Sequence, residues 1–462
     1  MKKVITYGTF DLFHQGHLNI LTRAKKLGDY LIVGVTTEHF DEMRGKVNVI
    51  DSTLERIENV RKTGLADEII IEDHEGQKIE DIQKYNIDVF TVGSDWVGTF
   101  DYLNNFCKVI YLERTPDISS TMLRKSRFHI INLGIVGTGR MAPRFLEEDK
   151  YVSGIHIVCA YNIEEDSGRS FQNKYELPVY YHDYQKFLEH IDAVYIASPN
   201  ETHYQYAKQA LQAGKHVLSE NPVGLSKNDV EELYTLAEDK NLVLLEGIKT
   251  AYCPGFQQLL NTVQGGKIGE IKDVEACFTR LANPNSRERT DENYGGAFLE
   301  YAAYTLLPIF KLFGTRYKEV RIDSILDEKG LDVYTKIQLI YDQGMGTAKC
   351  GVGVKSEGQL VVAGTEGYIL AESPWWLTKK YVVRYENPDV IEIFEPRFQG
   401  DGLRYEISEF ASKINGLERN AYKLTKDEIL AMSEITEIFM NKRMEQKRND
   451  SIRGDRNRAD RC

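Results

Sequence analysis

Strand-like and helix-like segments alternate along the chain in two separate series, and this feature constrains the fold more than any other. The first series lies within residues 1–115 and contains the apolar segments KVITYG, YLIVGV, EIIIE, DVFTVG and KVIYLE. The second series contains INLGIVG, IHIVCAY, AVYIAS, HVLSE and LVLLEG. Such alternation is typical of βα units on a parallel sheet, so the sequence predicts two α/β domains, each with a Rossmann-like fold.

The remainder of the chain follows a different pattern. From about residue 271, segments such as DVYTKIQLIYD and GTAKCGVGV have a period of two, which predicts an α+β domain with a mainly antiparallel sheet. The segment KDEILAMSEITEIFMNKR has helical spacing of its apolar residues. We therefore expect α/β domains at 1–127 and 128–250, an α+β domain at 251–445, and a frayed, solvated charged tail at 446–462.

Composition excludes several classes of protein. The formal charge of −12 argues against a general nucleic-acid binder, which presents a basic surface to phosphates. Because no apolar run reaches the length that spans a bilayer, we expect no membrane insertion and a cytoplasmic protein. The 6 cysteines include no C-x-x-C pair, so neither a disulfide framework nor a protein-bound metal centre is expected.

The segment YGTFDLFHQGHLNIL predicts an anion site near the amino end. Gly8 ends a strand, and His14 and His17 stand three residues apart where a helix begins. Backbone N–H groups and the helix dipole favour negative charge at such a position, and two imidazoles add further donors.

Three further segments, LERIENVR, VGSDW and RTPDISSTMLR, follow this one in order, and together they resemble the H-x-G-H nucleotidyltransferases, in particular the glycerol-phosphate cytidylyltransferases. The resemblance implies transfer of a cytidylyl group from CTP, with Mg²⁺, to an alditol phosphate, giving a CDP-alditol and pyrophosphate. His14, His17, Lys46 and Arg114 would be catalytic and stabilise the triphosphate. The CTP-binding residues implied by the resemblance are Thr9, Phe10, Asp11, His14, His17, Lys46, Asp95, Arg114, Ser119, Ser120 and Thr121.

Some roles within this set stay open. Asp11 and Asp95 are candidates for contacts to Mg²⁺, ribose or base, and the sequence does not separate these roles. Lys46, Arg56 and Asp95 also have an alternative interpretation as ordinary surface charges. Asp117 stands where the family has glycine, which puts the identity of the acceptor in doubt.

The glycine-rich turn in GIVGTGRMA predicts a dinucleotide site, because a strand precedes it and a helix follows it. With DAVYIASPNETH, HVLSENPVGLS, EGIKTAYCPGF and GGAFLEYAAYTLLPIF, it resembles the glucose-fructose oxidoreductase, inositol dehydrogenase and MocA family. The resemblance implies hydride transfer with NAD or NADP, a choice that Asn162 and the nearby Glu164 and Glu165 leave undecided. The cofactor-binding residues implied are Gly137, Thr138, Gly139, Arg140, Met141, Asn162, Ser198, Pro199, Asn200, His203, Glu220 and Asn221.

The catalytic residues depart from the family pattern. Asn221 replaces the lysine of the family's E-K-P motif, Tyr304 replaces a histidine, and Glu300 replaces an aspartate. Our hypothesis is that Tyr304 is the general acid, with Glu300 on the same side of the helix. Lys249 would supply the missing ammonium group and lower the pKa of Tyr304 toward neutrality.

The sequence as a whole predicts a bifunctional enzyme. The second half would reduce a keto or aldehydo phosphate to an alditol phosphate, and the first half would activate that alditol phosphate with CTP for a teichoic-acid-like or capsular polymer. We also expect a homo-oligomer. Two alternatives remain: a transferase carrying a catalytically silent regulatory module, and a sugar dehydrogenase with an unrelated or nucleotide-linked substrate.

Overall fold

The computed structural model describes residues 1–459 except 38–39, 42–48, 50, 114–129, 153, 397 and 417–422, and it describes no side chain at 95 or at 449–459. The chain divides into two compact units. Unit 1 comprises Met1–Ile130 with Lys150–Ile155, and unit 2 comprises Ile131–Asp149 with His156–Cys462.

Unit 1 is built on a five-stranded parallel sheet with the order β3-β2-β1-β4-β5. Its described elements are β1 (Lys3–Gly8), α1 (Gln15–Lys25), β2 (Tyr30–Thr36), α2 (Thr53–Lys62), β3 (Glu68–Glu72), α3 (Gln77–Tyr85), β4 (Val89–Gly93) and β5 (Lys108–Leu112). Alternate residues of β1 pack into separate apolar clusters, with Val4 in one and Ile5 in the other. Both faces of the sheet are therefore covered, as an apolar parallel sheet requires.

Strand order reverses beside β1, which lies between β2 and β4 although β3 follows β2 in sequence. The carboxyl ends of β1 and β4 border the crevice that such a reversal leaves open, and open α/β sheets bind their ligands there. Thr9 follows β1 and Ser94 follows β4 at this position.

The first part of unit 2 is a six-stranded parallel sheet with the order β11-β10-β9-β6-β7-β8. Its described elements are β6 (Ile131–Val136), α4 (Met141–Asp149), β7 (Ile155–Tyr161), α5 (Glu165–Tyr175), β8 (Val179–Tyr181), α6 (Tyr184–Leu188), β9 (Ala193–Ile196), α7 (His203–Gln212), β10 (His216–Glu220), α8 (Lys227–Asp239) and β11 (Leu244–Gly247). The order again reverses at the first strand, between β6 and β9.

The second part of unit 2 is an eight-stranded mixed sheet with the order β13-β14-β15-β12-β16-β17-β18-β19. Its described elements are α9 (Pro254–Gln264), β12 (Ile271–Thr279), α10 (Arg287–Thr290), α11 (Ala297–Phe313), β13 (Glu319–Leu326), β14 (Asp332–Ile340), β15 (Met345–Gly351), β16 (Leu360–Gly364), β17 (Gly367–Ala371), β18 (Tyr381–Tyr385), β19 (Ile391–Phe394), α12 (Leu403–Ile414) and α13 (Lys426–Ala459). Only β12 and β15 pair in parallel among these described strands. The helix α13 returns to the first sheet of the unit, where Ile429 packs with Val230 and Leu233 of α8.

The predicted fold class is confirmed, because two parallel α/β sheets are followed by a mainly antiparallel one. Helix α13 extends through residues 446–459 of the predicted charged tail, and the expected fraying and solvation of that tail stay predictions. Lysine, arginine, glutamate and glutamine all favour helix, and Arg443 anchors the helix by donating to the carbonyl oxygen of Gly295 at 2.8 Å. None of the helices among the described residues is long and apolar enough to cross a membrane.

Candidate active sites

In unit 1, the loop between β1 and α1 brings together the two histidines that were predicted to act as a pair. The rings of His14 and His17 stack with their centroids 3.9 Å apart. The rings of Phe10 and Phe13 lie 5.5 and 5.4 Å from that of His17 and hold it in place. The pair stands at the start of α1, where backbone N–H groups favour an anion.

His14 also begins the helix. It is the residue before α1, its backbone is extended, and its Nδ1 accepts a hydrogen bond from the N–H of Gly16 at 3.0 Å. The neutral ring then carries its proton on Nε2, which is the tautomer that donates a hydrogen bond away from the helix.

A buried ion pair between Arg56 and Asp41 stabilises the loop between β1 and α1. The side chain of Arg56 is 0 % exposed, and its Nη1 lies 3.1 Å from Oδ2 of Asp41. The same nitrogen donates to the carbonyl oxygens of Thr9 and Thr36, both at 2.9 Å. Arg56 is therefore not a surface charge but ties the carboxyl ends of β1 and β2 together, and its partner Asp41 was not predicted.

Asp11 fixes the same loop to the segment before α2. Its Oδ1 accepts the N–H of Asp51 at 2.9 Å, and Oδ2 of Asp51 accepts the N–H of Leu12 at 3.0 Å. These contacts give Asp11 a structural role in shaping the loop, and its contact to Mg²⁺, ribose or base stays a prediction.

The remaining predicted transferase residues are only partly described. The backbone of Asp95 lies in a short 3₁₀ helix, Ser94–Trp96, directly after β4. Lys46, Arg114, Asp117, Ser119, Ser120 and Thr121 lie outside the described residues. Within the described part of the chain, no group of three or more His, Cys, Asp or Glu side chains could hold a metal ion.

In unit 2, the turn after β6 has the geometry of a dinucleotide cradle. Gly137 has φ of +90°, and a Cβ there would lie 2.7 Å from the carbonyl oxygen of Ala197. Gly139 faces open space, with no atom within 4 Å of the position of a Cβ. The turn then leads through Thr138 and Arg140 into α4, which begins at Met141. This close backbone approach before a helix start fits a pyrophosphate group.

Neutral polar groups gather where β7 ends. Nδ2 of Asn162 donates to Oγ1 of Thr138 at 2.5 Å, and Oγ of Ser167 lies 2.9 Å from the same hydroxyl. Glu165, one of the acids considered for ribose binding, forms an ion pair with Arg169 at 2.6 Å. In dinucleotide-binding folds this strand end usually carries the acidic residue that binds the ribose. Here it carries an amide and two hydroxyl groups instead.

His203 joins two loops of the cradle. Its Nε2 lies 2.7 Å from the carbonyl oxygen of Ser198, and its Nδ1 lies 2.8 Å from that of Pro222. Burial lowers the pKa of His203, so the ring is neutral at physiological pH. His203 thus positions the loop of Ser198, Pro199 and Asn200 beside the loop of Asn221.

Arg140 connects the glycine turn to the second part of the unit. Its guanidinium group forms ion pairs with Glu288 and, at 3.1 Å, with Glu300. Burial and the charge of Glu288 raise the pKa of Glu300, while Arg140 opposes this shift. Glu300 therefore lies beside the glycine turn and holds Arg140 in place, and its predicted catalytic role stays a prediction.

The carboxyl end of β10 holds a second buried acid. Glu220 accepts a hydrogen bond from the hydroxyl of Tyr195, and burial raises the pKa of Glu220 to about 6. The next residue, Asn221, donates from Nδ2 to the carbonyl oxygen of Gly247 at 3.1 Å. Asn221 therefore links the ends of β10 and β11 and does not replace the charge of the missing lysine.

Lys249 supplies a buried ammonium group near this acid, but its hydrogen-bonding partner was not predicted. Its Nζ lies 2.9 Å from Oδ1 of Asp401, which precedes α12, and Arg144 pairs with Oδ2 of the same carboxylate. A bidentate ion pair between Arg404 and Glu148, with both contacts at 2.9 Å, holds this segment against α4.

The predicted lowering of the Tyr304 pKa is wrong. Burial raises the pKa of Tyr304 well above its usual range, and the charges of Glu220 and Glu406 raise it further. The ammonium group of Lys249 is bound to Asp401, and the charge that opposes the shift of the Tyr304 pKa comes from Arg144. Tyr304 is therefore a protonated phenol on α11, in edge contact with Phe278 at 5.5 Å, and it can donate a hydrogen bond or a proton.

Comparison with protein families assigns both units. Residues 5–126 match a cytidylyltransferase-like family, and residues 131–248 match the NAD-binding Rossmann-fold domain of the GFO/IDH/MocA oxidoreductase family. Residues 256–370 match a C-terminal domain of the same oxidoreductases.

Individual relatives agree with this division. A glycerol-3-phosphate cytidylyltransferase of Bacillus spizizenii is 52% identical over 126 residues, which is 27% of this chain and 96% of the relative. A scyllo-inositol 2-dehydrogenase (NADP(+)) of Bacillus subtilis is 25% identical over 320 residues, covering 67% of this chain and 95% of the relative. A 3-ketoreductase of Actinomadura kijaniata, solved with NADP and TDP-benzene, has a similar fold, with a TM-score of 0.58 at 20% identity over 66% of this chain and 95% of its own.

The two glycines of the cradle allow a matched test of its geometry. Gly137→Ala forces a Cβ against the carbonyl of Ala197 at positive φ, and we expect it to reduce the free energy of unfolding of unit 2 by about 1–3 kcal/mol and to abolish binding of NAD(P)H. Gly139→Ala is the control, because its Cβ meets no atom, and its stability should stay within about 0.5 kcal/mol of wild type. Denaturant unfolding and cofactor fluorescence measure the two effects. Equal stabilities of the two variants would contradict this account.

Proposed function

The chain belongs to the glycerol-3-phosphate cytidylyltransferase family through its N-terminal unit and joins it to a GFO/IDH/MocA-family oxidoreductase, and from this premise we propose that it makes and then activates an alditol phosphate. The second unit reduces a keto or aldehydo phosphate with NADPH, and the first unit transfers the cytidylyl group of CTP to the product. The CDP-alditol then serves a teichoic-acid-like or capsular polymer. The observation that carries the proposal is that two crevices, one with an imidazole pair and one with a buried phenol, lie on one chain.

The residues of unit 1 suit phosphoryl-type transfer, which depends on positioning and charge stabilisation. His14 and His17 donate to the oxygens where charge grows as pyrophosphate leaves, and the start of α1 adds backbone N–H groups. Arg56 and Asp41 keep Thr9 and the following loop in place without contacting the substrate. Binding of Mg²⁺ with CTP and self-association of the chain stay predictions from the resemblance.

The residues of unit 2 suit carbonyl reduction. The reduced nicotinamide, when bound, supplies the hydride. Tyr304 orients the substrate carbonyl by donating a hydrogen bond to its oxygen and gives up its phenolic proton as that oxygen becomes an alkoxide. Lys249, Asp401 and Arg144 keep charges of both signs beside the reacting centre. A buried set of this kind supports an active reductase over a silent regulatory module.

Separating the two activities by mutation tests the proposal. His14→Asn keeps an oxygen that can cap α1 but removes the imidazole, so we expect pyrophosphate release to fall by about 10²–10³-fold with unit 1 still folded. Tyr304→Phe removes the proton donor, and we expect NADPH oxidation to fall by about 10²-fold or more. Each variant serves as the control for the other, because it should keep the activity of the other unit. Wild-type turnover in either variant's own assay would refute the assigned role.

NADP is the proposed cofactor because the amide of Asn162 lies at the end of β7 together with the hydroxyl groups of Thr138 and Ser167. A carboxylate there would bind the ribose diol of NAD and repel the additional phosphate of NADP. Two of the relatives named above also carry NADP in their descriptions.

Asn162→Asp is expected to lower kcat/KM with NADPH by about tenfold or more, which corresponds to about 1.4 kcal/mol, and to improve the relative use of NADH. Asn162→Ser keeps the position neutral and should retain the preference for NADPH. Initial rates with each cofactor measure the ratio. A wild-type enzyme that prefers NADH would overturn this part of the proposal.

A second order of reactions is supported by a specific observation. The ring of Phe278 stacks on Trp376 at 3.6 Å and on Tyr301 at 4.2 Å, directly beside Tyr304. Such an aromatic wall suits a large planar group, and the ketoreductase of similar fold is solved with a nucleoside-diphosphate compound. In this alternative the transferase acts first, and the reductase receives a CDP-linked carbonyl compound.

The presence or absence of CTP distinguishes the two orders. If reduction comes first, a panel of keto and aldehydo phosphates should include one that supports NADPH oxidation without CTP. If transfer comes first, oxidation of NADPH should require CTP and should be lost in His14→Asn as well as in Tyr304→Phe. Absorbance of NADPH, followed before and after CTP is added, gives the answer.

A further inference from the structure

A cavity of about 140 Å³ lies in unit 2 between α13 and the hairpin formed by β13 and β14. Its lining combines charged side chains of both signs with polar and apolar groups. The charged and polar residues are Asp323, Ser324, Asp332, Lys442, Arg443 and Gln446. No role was predicted for any of them.

Two buried charged residues of this lining each leave one atom without a hydrogen bond. Asp332 is 1 % exposed and Arg443 is 7 % exposed. Neither Oδ1 of Asp332 nor Nε of Arg443 has a hydrogen-bond partner among the described residues. The gap of 4.0 Å between Oδ1 of Asp332 and Nη1 of Arg443 is too long for a hydrogen bond between the two side chains. Since buried polar atoms are nearly always paired, these two atoms are the expected contacts of a ligand.

Hydrogen bonds on β13 and β14 define what such a ligand must offer. The hydroxyl of Thr335 donates to Oδ2 of Asp332 at 3.0 Å, so the hydroxyl of Ser324, 2.9 Å from that of Thr335, is the donor in its pair. Ser324 therefore keeps lone pairs that can accept. Burial raises the pKa of Asp332 to about 6, so Asp332 is mostly ionised at neutral pH and its Oδ1 also accepts. Arg443 donates from Nε, and a hydroxyl group can meet both demands because it donates and accepts at once.

Charge and size narrow the ligand further. Asp323 and Asp332 balance Lys442 and Arg443, so the lining has no net charge and favours a neutral ligand over a buried ion. A cavity of roughly 150 Å³ is known to hold benzene, which has six heavy atoms. Glycerol has the same number of heavy atoms and carries three hydroxyl groups. A polyol of about three carbons therefore fits both the volume and the polar groups of the cavity.

The same two residues hold the chain where it enters α11. Oδ2 of Asp332 accepts the N–H of Phe298 at 2.7 Å, and Arg443 donates to the carbonyl oxygen of Gly295 at 2.8 Å. A ligand bound to both Asp332 and Arg443 would connect these two contacts through a further set of hydrogen bonds. Local opening of the segment at 292–298 would then become less favourable.

We propose that this cavity is a binding site for a short polyol, and that the bound polyol stabilises the start of α11. The ligand is of the same chemical class as the alditol of the proposed reaction, but binding requires neither of the proposed activities. The site is separate from both crevices, since its lining residues lie on β13, β14 and α13.

Glycerol is the probe that tests this site, and 1,3-propanediol is the matched compound that lacks the central hydroxyl group. We expect saturable binding of glycerol to the full chain, measured by saturation transfer from protein to ligand in NMR. The diol should bind about tenfold more weakly, because one hydroxyl group no longer pairs with a charged side chain. Hydrogen exchange of the amides of residues 292–298 should slow as glycerol saturates the site.

Gln446→Trp fills the cavity from α13, at an exposed position away from the contacts to the start of α11. We expect it to abolish both the binding of glycerol and the protection of residues 292–298. Met444→Trp is the control, because Met444 is exposed on the same helix and does not line the cavity. Ser324→Phe fills the cavity from β13 and serves as the second variant should Gln446→Trp fold poorly.

Asp332→Asn tests the predicted contact atom. The amide oxygen can still accept the N–H of Phe298, while an NH₂ group takes the place of the acceptor that has no partner. We expect the Kd for glycerol to rise by about tenfold or more.

The outcomes decide each part of the proposal. Absence of saturable binding to the wild type would mean that the cavity holds only water and would overturn the site. Wild-type binding in Gln446→Trp and Ser324→Phe would place glycerol elsewhere and would also overturn it. Binding that leaves the exchange of residues 292–298 unchanged would overturn the effect on α11. None of these results bears on the proposed function, which the assays with CTP and NADPH test separately.

Discussion

Both crevices depend on one geometric constraint, the reversal of strand order in a parallel sheet. Beside β1 in unit 1 and beside β6 in unit 2, the chain leaves neighbouring strands in opposite directions, so no crossover covers their carboxyl ends. The helix that follows each first strand then points its N-terminal N–H groups at the open space. One unit fills this space with imidazoles and the other with glycine backbone, which accounts for triphosphate chemistry in the first and dinucleotide binding in the second.

Elements and residues fixed by local pattern were predicted well from the sequence. The strands of both parallel sheets follow from apolar runs, and the positions of His14 and Gly137 follow from a strand, a turn and a helix start. Tyr304 and Glu300 lie one turn apart on α11, as their spacing indicates. These features need only contacts that are near in sequence.

Contacts between residues distant in sequence were not predictable in this way. Lys249 pairs with Asp401 across 152 positions, and no periodicity links the two. The same holds for Asp41, which makes Arg56 a buried structural residue, and for Glu406, which occupies a core position in an otherwise ordinary helix. The direction of the shift in the Tyr304 pKa followed chiefly from burial of the phenol, and the charges of Glu220 and Glu406 add to it. The direction of a pKa shift depends on all the charges around a group, and a sequence shows only a few of them.

The imidazole of His203 has a consequence for the two loops that it joins. Both ring nitrogens face carbonyl oxygens, yet a neutral ring has a single hydrogen to offer. At any moment it therefore donates to the carbonyl oxygen of Ser198 or to that of Pro222, and not to both. The two tautomers of the ring hold different loops of the cradle, so a change of tautomer moves the hydrogen bond from one loop to the other.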